Sequence, residues 1–425
     1  MVKREAMVDP RQQNLNRSQR RELERRLWSS NPGLTVTHPN AAGIDVGNRE
    51  HYVAVPPDRD EQPVRNFPCF TEDLRALAAW LKQCGITTVA MQSTGVYWIP
   101  LYDVLEAEGF EVYLVNARHT RNLPGRKSDV QESQWLMKLH TYGLLNNSFR
   151  PASEIRVQRC YWRQRGEHVQ AASTSIQRMQ KTLTEMNLRL HNVISDLSGV
   201  TGLRILRAIT KGERDTGKLA AMRDFRIRAS EEEIAKSLEG TWRQELLFVL
   251  QQELDTYDMY QRKIAECDVE LEKHLAGMAA RPQTTDEEAK TPSVPNRKPY
   301  KRRGNAPGFD LRRELERITG VDLTRIDGVD VITAQTVISE TGLDMSRWRT
   351  EAHFSSWLGL SPSNDISGGK VLKKGTRKVI NRAATALRMA ASTLIKSKSY
   401  LGAQYRRFRS RLGAPKAITA MAHKL

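Results

Sequence analysis

The spacing of hydrophobic and polar residues changes character along this chain. From position 41 the apolar residues fall into short β-rich runs, at 42–45, 51–55, 64–67, 87–91 and 112–115, with helical patterns at 71–83 and 100–108. Three neighbouring strands followed by alternating helix and strand predict an α/β sheet. A helical segment at 129–145 closes it before Asn146, Asn147 and Pro151 break the chain. From about 153 to 278 there is almost no strand signal. Ile176, Met179, Leu183, Met186, Leu190, Val193 and Leu197 recur at alternating steps of three and four, the seam of a coiled coil. Leu247, Leu250, Leu254, Tyr257, Ile264 and Leu271 form a looser heptad in a second helix, 242–275. Such stripes favour a coiled coil that joins two copies of the chain over a helix packed on its own domain. The pattern therefore divides into a basic arm at 1–40, an α/β domain at 41–150, a helical coiled-coil region at 151–279, a polar, Pro-containing basic linker at 280–308, and a mainly helical domain at 309–425.

Composition adds a partner. The chain has 425 residues, 39% of them hydrophobic, and 67 Lys and Arg against 49 Asp and Glu, a net charge of +18. An excess of that size must be matched by an acidic surface, and nucleic acid is the default. Its placement is more telling. After Asp365 there is no acidic residue, while that stretch carries fifteen Lys or Arg. From 379 to 395 the charges interleave with Ala, Leu and Met at helical spacing, which points to a folded, phosphate-facing surface. Cys69, Cys84, Cys160 and Cys267 lie far apart, so neither a disulfide framework nor a zinc ribbon is expected. The His residues lack metalloprotease spacing, and no Walker A motif is present. The opening residues lack a signal-peptide core, and no apolar run is long enough to span a bilayer, so a cytoplasmic protein is expected.

Several constellations can carry chemistry. Asp45, in Gly43-Ile44-Asp45-Val46-Gly47, is expected at a strand end, where many divalent-metal phosphoryl-transfer sites begin, although a lone Asp in a turn is common. In Lys127-Ser128-Asp129-Val130-Gln131-Glu132, an Asp129 that starts a helix would share one face with Glu132, three residues on. The same pair also serves as an ordinary acidic first turn. Arg118, Arg121, Arg126 and Lys127 form a basic loop beside these acids, suited to a phosphodiester. Between them lies Gln92-Ser93-Thr94-Gly95-Val96-Tyr97-Trp98, whose Gly-Val-Tyr-Trp reads as a packing cluster behind the sheet rather than a base-stacking platform. In the last domain, residues 323–334 (Leu-Thr-Arg-Ile-Asp-Gly-Val-Asp-Val-Ile-Thr-Ala) are similar to a helix-hairpin-helix, which binds phosphates through backbone N–H groups. Then come Ser361, Pro362, Ser363 and Ser367-Gly368-Gly369-Lys370, with Lys373, Lys374, Arg377, Lys378 and Arg382 beyond, a turn that presents a hydroxyl amid positive charge.

The order of these motifs resembles the DEDD transposase family of bacterial insertion sequences, which includes the Piv-type DNA invertases and the bridge-RNA-guided recombinases. The resemblance covers roughly 41–145 and 310–424. It implies a RuvC-like, RNase H-fold first domain with a Mg²⁺ (or Mn²⁺) tetrad at Asp45, Gln92, Asp129 and Glu132. The chain has Gln92 where the family has Glu, and Glu132 where it usually has Asp. The resemblance further implies a serine nucleophile at Ser367, with Ser361 and Ser363 as runners-up, and a covalent serine-DNA intermediate. It implies as partners double-stranded donor and target DNA, a structured non-coding bridge RNA, and further copies of the chain in a dimer or tetramer, in the bacterial cytoplasm at the nucleoid. Two rival readings are a metal-only RuvC-like junction resolvase or nuclease, in which Ser367 is a loop residue, and a catalytically silent nucleic-acid-binding protein, which Gln92 favours.

Overall fold

The computed structural model describes residues 35–116, 128–282, 304–377 and 379–425. Arg118, Arg121, Arg126, Lys127 and Lys378, nearly all of the expected arm and most of the expected linker lie outside the described residues. Two compact units divide at Arg150 and Pro151.

The first unit is a five-stranded sheet. Its strands are β1 (Ala41–Val46), β2 (Glu50–Ala54), β3 (Val64–Pro68), β4 (Thr88–Gln92) and β5 (Glu111–Val115), in the order β3-β2-β1-β4-β5. β1 pairs antiparallel with β2 and parallel with β4, and β4 is parallel to β5. β4 is buried along its whole length and β1 at all but Asp45. That is why these two runs read as continuously apolar: central strands are covered on both faces. This is the arrangement expected of an RNase H-like domain.

The two faces of the sheet are covered differently. On one, α1 (Thr71–Gln83) and α2 (Trp98–Ala107) pack Leu77, Leu81, Leu101 and Leu105 onto Ile44, Val53, Val89 and Met91. On the other lies α3 (Asp129–Thr141), whose Leu136 joins Ala90 and Val115. A Cβ added to Gly43 would stand 2.2 Å from the backbone N of Met137 and 2.3 Å from the carbonyl of Ser133. Only glycine lets the helix lie this close to β1. At the far end of α3, the buried His140 Nε2 meets Thr88 Oγ1 at 2.8 Å. Burial, with the neighbouring His38, pushes the His140 imidazole down to about 4.

Among its described residues, the second unit is mainly helical, with one β-hairpin. Two long helices, α4 (Ser153–Glu185) and α9 (Gln244–Gly277), run antiparallel. Arg178 faces Glu253, His168 faces Tyr260, Arg165 faces Asp268 and Tyr161 faces His274. Their buried residues recur at steps of three and four: Ile155, Gln158, Trp162, Arg165, Ala172, Met179 and Leu183 on one, Leu247, Leu250, Leu254, Tyr257, Ile264, Asp268, Leu271 and Leu275 on the other. Four short helices, α5 (Leu190–Val193), α6 (Val200–Thr210), α7 (Thr216–Ala220) and α8 (Glu231–Ser237), cap one end of the pair and share its core.

The expected dimer seam is therefore occupied within the chain. α4 ends at Glu185, so the stripe from Ile176 to Leu197 is not one helix, and Met186, Leu190, Ile194 and Leu197 turn into the same buried core. Within the seam the ion pair of Arg165 and Asp268 is buried. Removing either partner would strand a buried charge, at a cost of about 3–5 kcal/mol, so the pair fixes the register of the two helices.

At the other end of the pair, Ile155, Trp162, Leu271 and Leu275 share a core with Phe309 and with α10 (Leu311–Thr319) and α11 (Val331–Thr341). A further core gathers Leu358, Ala384, Leu387, Tyr405 and Met421 from α12 (Glu351–Trp357), α13 (Arg382–Thr393), α14 (Tyr400–Leu412), α15 (Ala414–Lys424) and the turns beside them. Among the described residues, no helix is long and apolar enough to cross a membrane.

Candidate functional site

The sheet positions two of the expected acidic-site residues by register alone. Ile44 lies opposite Met91, so Asp45 and Gln92, one residue on, end adjacent parallel strands. Ile44 and Met91 face the core under α1 and α2, whereas Gly43 and Ala90 face α3. Because side chains alternate, Asp45 and Gln92 also face α3.

α3 brings the other two. Ser128 caps it in a reciprocal pair with Gln131, which fixes Asp129 as the first helical residue and Glu132 one turn on. Since Ser133 and Met137 sit against Gly43 and His140 sits at the start of β4, the helix runs back along the sheet, and its acidic first turn lies at the Asp45 end. Register and helix direction therefore put the four residues at the same end of the sheet, on the face that α3 covers.

Tyr52 and Glu50 were not singled out in the sequence. Tyr52 is the cross-strand neighbour of Asp45, and its hydroxyl donates to Glu50 Oε1 at 3.1 Å. That hydrogen bond and the charge of Glu50, with a smaller contribution from Asp129, raise the Tyr52 phenol above its ordinary value. Asp129 is thus near enough to be felt, and the corner includes a phenol that keeps its proton. Alternation along 50–54 places Glu50 and Tyr52 on the face of Asp45, and this was the available signal.

In kind the donor set fits a hard divalent cation, with carboxylate oxygens from Asp45, Asp129 and Glu132 and an amide oxygen from Gln92. Among the described residues, no group of three or more His, Cys, Asp and Glu side chains stands in position to hold a metal ion. Gln92, which is buried, occupies one corner with an uncharged group. Beyond it, Val96 and Tyr97 are exposed, and only Trp98 packs against the core, its indole N–H donating to Gly95. The expectation of a packing cluster thus holds for one residue of the motif.

In the second unit, Ser367 ends β6 (Asp365–Ser367), which pairs with β7 (Lys370–Lys373). Gly368 and Gly369, at φ of 55° and 77°, form the two-residue turn, a geometry that both glycines permit and side chains resist. What reads as a flexible Ser-Gly-Gly loop is a tight β-hairpin with Ser367 opposite Lys370. Lys370, Lys374, Arg377 and Arg382 are all exposed, and Arg377 donates to the Ser356 carbonyl. Ser363 N–H bonds the Gly375 carbonyl at the hairpin base. Ser361 Oγ lies 3.5 Å from His423 Nδ1, too long for a firm hydrogen bond.

The expected helix-hairpin-helix takes another form. Its first helix is a single 3₁₀ turn, Leu323–Arg325, and Gly328 packs toward the Ala390 carbonyl of α13. The N-terminus of α11 is capped by its own Asp330, which accepts from Thr333 N–H. A carboxylate thus already occupies one of the N–H donors that a phosphate at this helix start would use.

Comparison with protein families gives two matches. A transposase model, of the DEDD type named for IS110, matches residues 42–188. A second model, described as transposase IS116/IS110/IS902 family, matches residues 322–406. No curated protein matches the chain.

Proposed function

The chain belongs to the IS110 family of DEDD transposases, and from that premise we propose that it cuts and rejoins DNA with a serine nucleophile and a metal-binding acidic corner. Asp45, Asp129, Glu132 and the amide oxygen of Gln92 would hold Mg²⁺ or Mn²⁺. When bound, the ion would neutralise charge on the scissile phosphate. Tyr52, which keeps its proton, donates to Glu50 and holds that carboxylate to one side of the corner.

Ser367 Oγ attacks the phosphorus. A P–O bond to serine forms as the P–O bond to the departing deoxyribose oxygen breaks; the serine gives up its proton and the departing hydroxyl gains one. The number of phosphoester bonds is unchanged, so strands can be exchanged and resealed without ATP. The exposure of Ser367 on a two-glycine turn, opposite Lys370 and within an acid-free stretch, is the observation that carries this reading.

In this reading a structured RNA pairs with donor and target DNA and makes most of the sequence choice, while the basic surface supplies shape and charge. A homo-oligomer, dimer or tetramer, unites the serine of one protomer with the acids of another. The apolar seam of α4 and α9 is filled within the chain, so the contacts between copies would lie elsewhere. Arg118, Arg121, Arg126, Lys127, Lys373 and Lys378 are proposed phosphate contacts with those already named.

One observation favours Ser361 as a second candidate nucleophile: its hydroxyl lies 3.5 Å from the imidazole of His423, a base that could close on it. Denaturing gels of a cleavage reaction decide between them. Ser367→Ala should abolish the covalent protein–DNA adduct while nucleic-acid binding stays within a few-fold. An adduct that survives Ser367→Ala but not Ser361→Ala would move the role to Ser361. Cleavage with no adduct in the wild type would leave a metal-only nuclease.

A further inference from the structure

Among the described residues, nothing in its own unit covers the β6–β7 hairpin. Every described side chain from 362 to 380 is exposed, and none belongs to a hydrophobic core. Yet the hairpin is not polar throughout. Ile366 and Val371 are direct cross-strand partners and so share one face, and they are 64% and 42% exposed. Leu372, the extra residue where the register shifts, is 71% exposed, and Ile380 stands fully in solvent. Displaying paired aliphatic side chains on a ribbon held by so few hydrogen bonds is unfavourable unless something covers them.

The surroundings select the occupant. From Ile366 onward the chain has no acidic residue and fifteen basic ones. A second copy of the same hairpin would bring like charges together, whereas a polyanion complements them. A two-stranded ribbon has strands about 4.8 Å apart and fits the roughly 12 Å major groove of B-form DNA. The deep, narrow major groove of an RNA duplex excludes it.

We infer that the hairpin is a groove-reading ribbon for duplex DNA, with the Ile366–Val371 face resting on base edges in the major groove, where thymine methyl groups are its apolar complement. Ser367 and Lys370 occupy the opposite face, so one face of the ribbon holds bases while the other is left to phosphate. The inference rests on the DNA-recombinase reading, but not on the identity of the nucleophile.

The experiment compares binding of the full chain to an A·T-rich duplex about three helical turns long with binding to the same duplex carrying uracil for thymine, which removes only the methyl groups. The wild type should bind the thymine duplex roughly threefold more tightly. Ile366→Ser/Val371→Ser should lose that preference with an unchanged salt slope, because no charge is removed. Lys370→Ala should keep the preference and lower the slope by about one. Both positions are exposed, so the melting temperature of the double variant should match the wild type and separate lost contact from lost fold. Ser367→Ala should retain the thymine preference even if its adduct is lost, and a failed nucleophile assignment leaves this comparison standing. Equal affinity for the two duplexes in the wild type, a preference that survives in the double variant, tighter binding to an RNA duplex, or a double variant altered only in self-association would each overturn the inference.

Discussion

The acids of the first unit and the serine of the second are held in opposite ways. Asp45 and Gln92 end central strands, and Asp129 and Glu132 begin a helix pressed against that sheet so closely that Gly43 has no room for a Cβ. Ser367 sits on a ribbon whose described side chains are all exposed. Both devices use glycine for different reasons: space at Gly43, a positive φ at Gly368 and Gly369. Under the proposed roles the difference has a purpose: charged ligands for a cation have to be fixed beforehand, because their mutual repulsion would otherwise spread them, whereas a nucleophile that meets a bulky polymer gains from being displayed.

Four experiments would break or sharpen that contrast. The largest effect is expected from Asp129→Ala or Asp45→Ala, which should reduce metal-dependent cleavage about a hundredfold or more with the fold retained. Undiminished cleavage in either variant, or in EDTA, would remove the corner from the chemistry. Next is Gly43→Val. Its side chain would collide with the α3 backbone, and about 3 kcal/mol of stability should be lost in denaturant unfolding of the first unit. Alanine at Gly368 or Gly369 meets nothing within 4 Å, so only the positive φ is strained, and about 1 kcal/mol should be lost, well below the Gly43→Val effect. Equal destabilisation at the two places would refute the distinction.

The third is a pH effect confined to the first unit. His140 titrates at about 4 rather than at the usual 6.5, and burial depresses His51 as well. Above the ordinary imidazole range the folded and unfolded forms are both neutral, and this contribution to stability is complete. As pH falls, the unfolded chain takes up a proton that the folded His140 refuses, so stability declines until pH 4 is reached, by up to about 3 kcal/mol. His140→Gln cannot titrate and should flatten that decline in thermal melts; an unchanged slope would remove His140 as its source. The smallest effect is expected from Gln92→Glu, which should lower the Mg²⁺ concentration for half-maximal cleavage several-fold. A higher requirement would make Gln92 a hydrogen-bonding neighbour and leave Asp45, Asp129 and Glu132 as the ligands.

The strands of the first unit were legible because their apolar runs are short, rich in β-branched residues and separated by clear helical periods; each observed strand begins and ends within two residues of its expected run. The heptads were legible too, but a heptad says only that a stripe is buried. The chain contains two such stripes, and the complementary Arg165 and Asp268 that match them lie about a hundred residues apart, beyond the reach of local pattern. The β6–β7 hairpin went unread because three- and four-residue strands leave no periodicity. At 323–334, a glycine turn flanked by apolar residues resembled a phosphate-binding hairpin, and only packing revealed that Asp330 caps the second helix.

The antiparallel pair of α4 and α9 has a mechanical consequence. Thirty-four residues of α9 at 1.5 Å per residue make a rod about 50 Å long, and the buried ion pair prevents its two helices from sliding past one another. Such a rod is a lever. A rotation of about ten degrees at the end that shares its core with α10 and α11 would sweep the four-helix cap through about 9 Å, between two and three base-pair steps. Small repacking near the base would thus be read out at the cap as a displacement of a few base-pair steps of DNA.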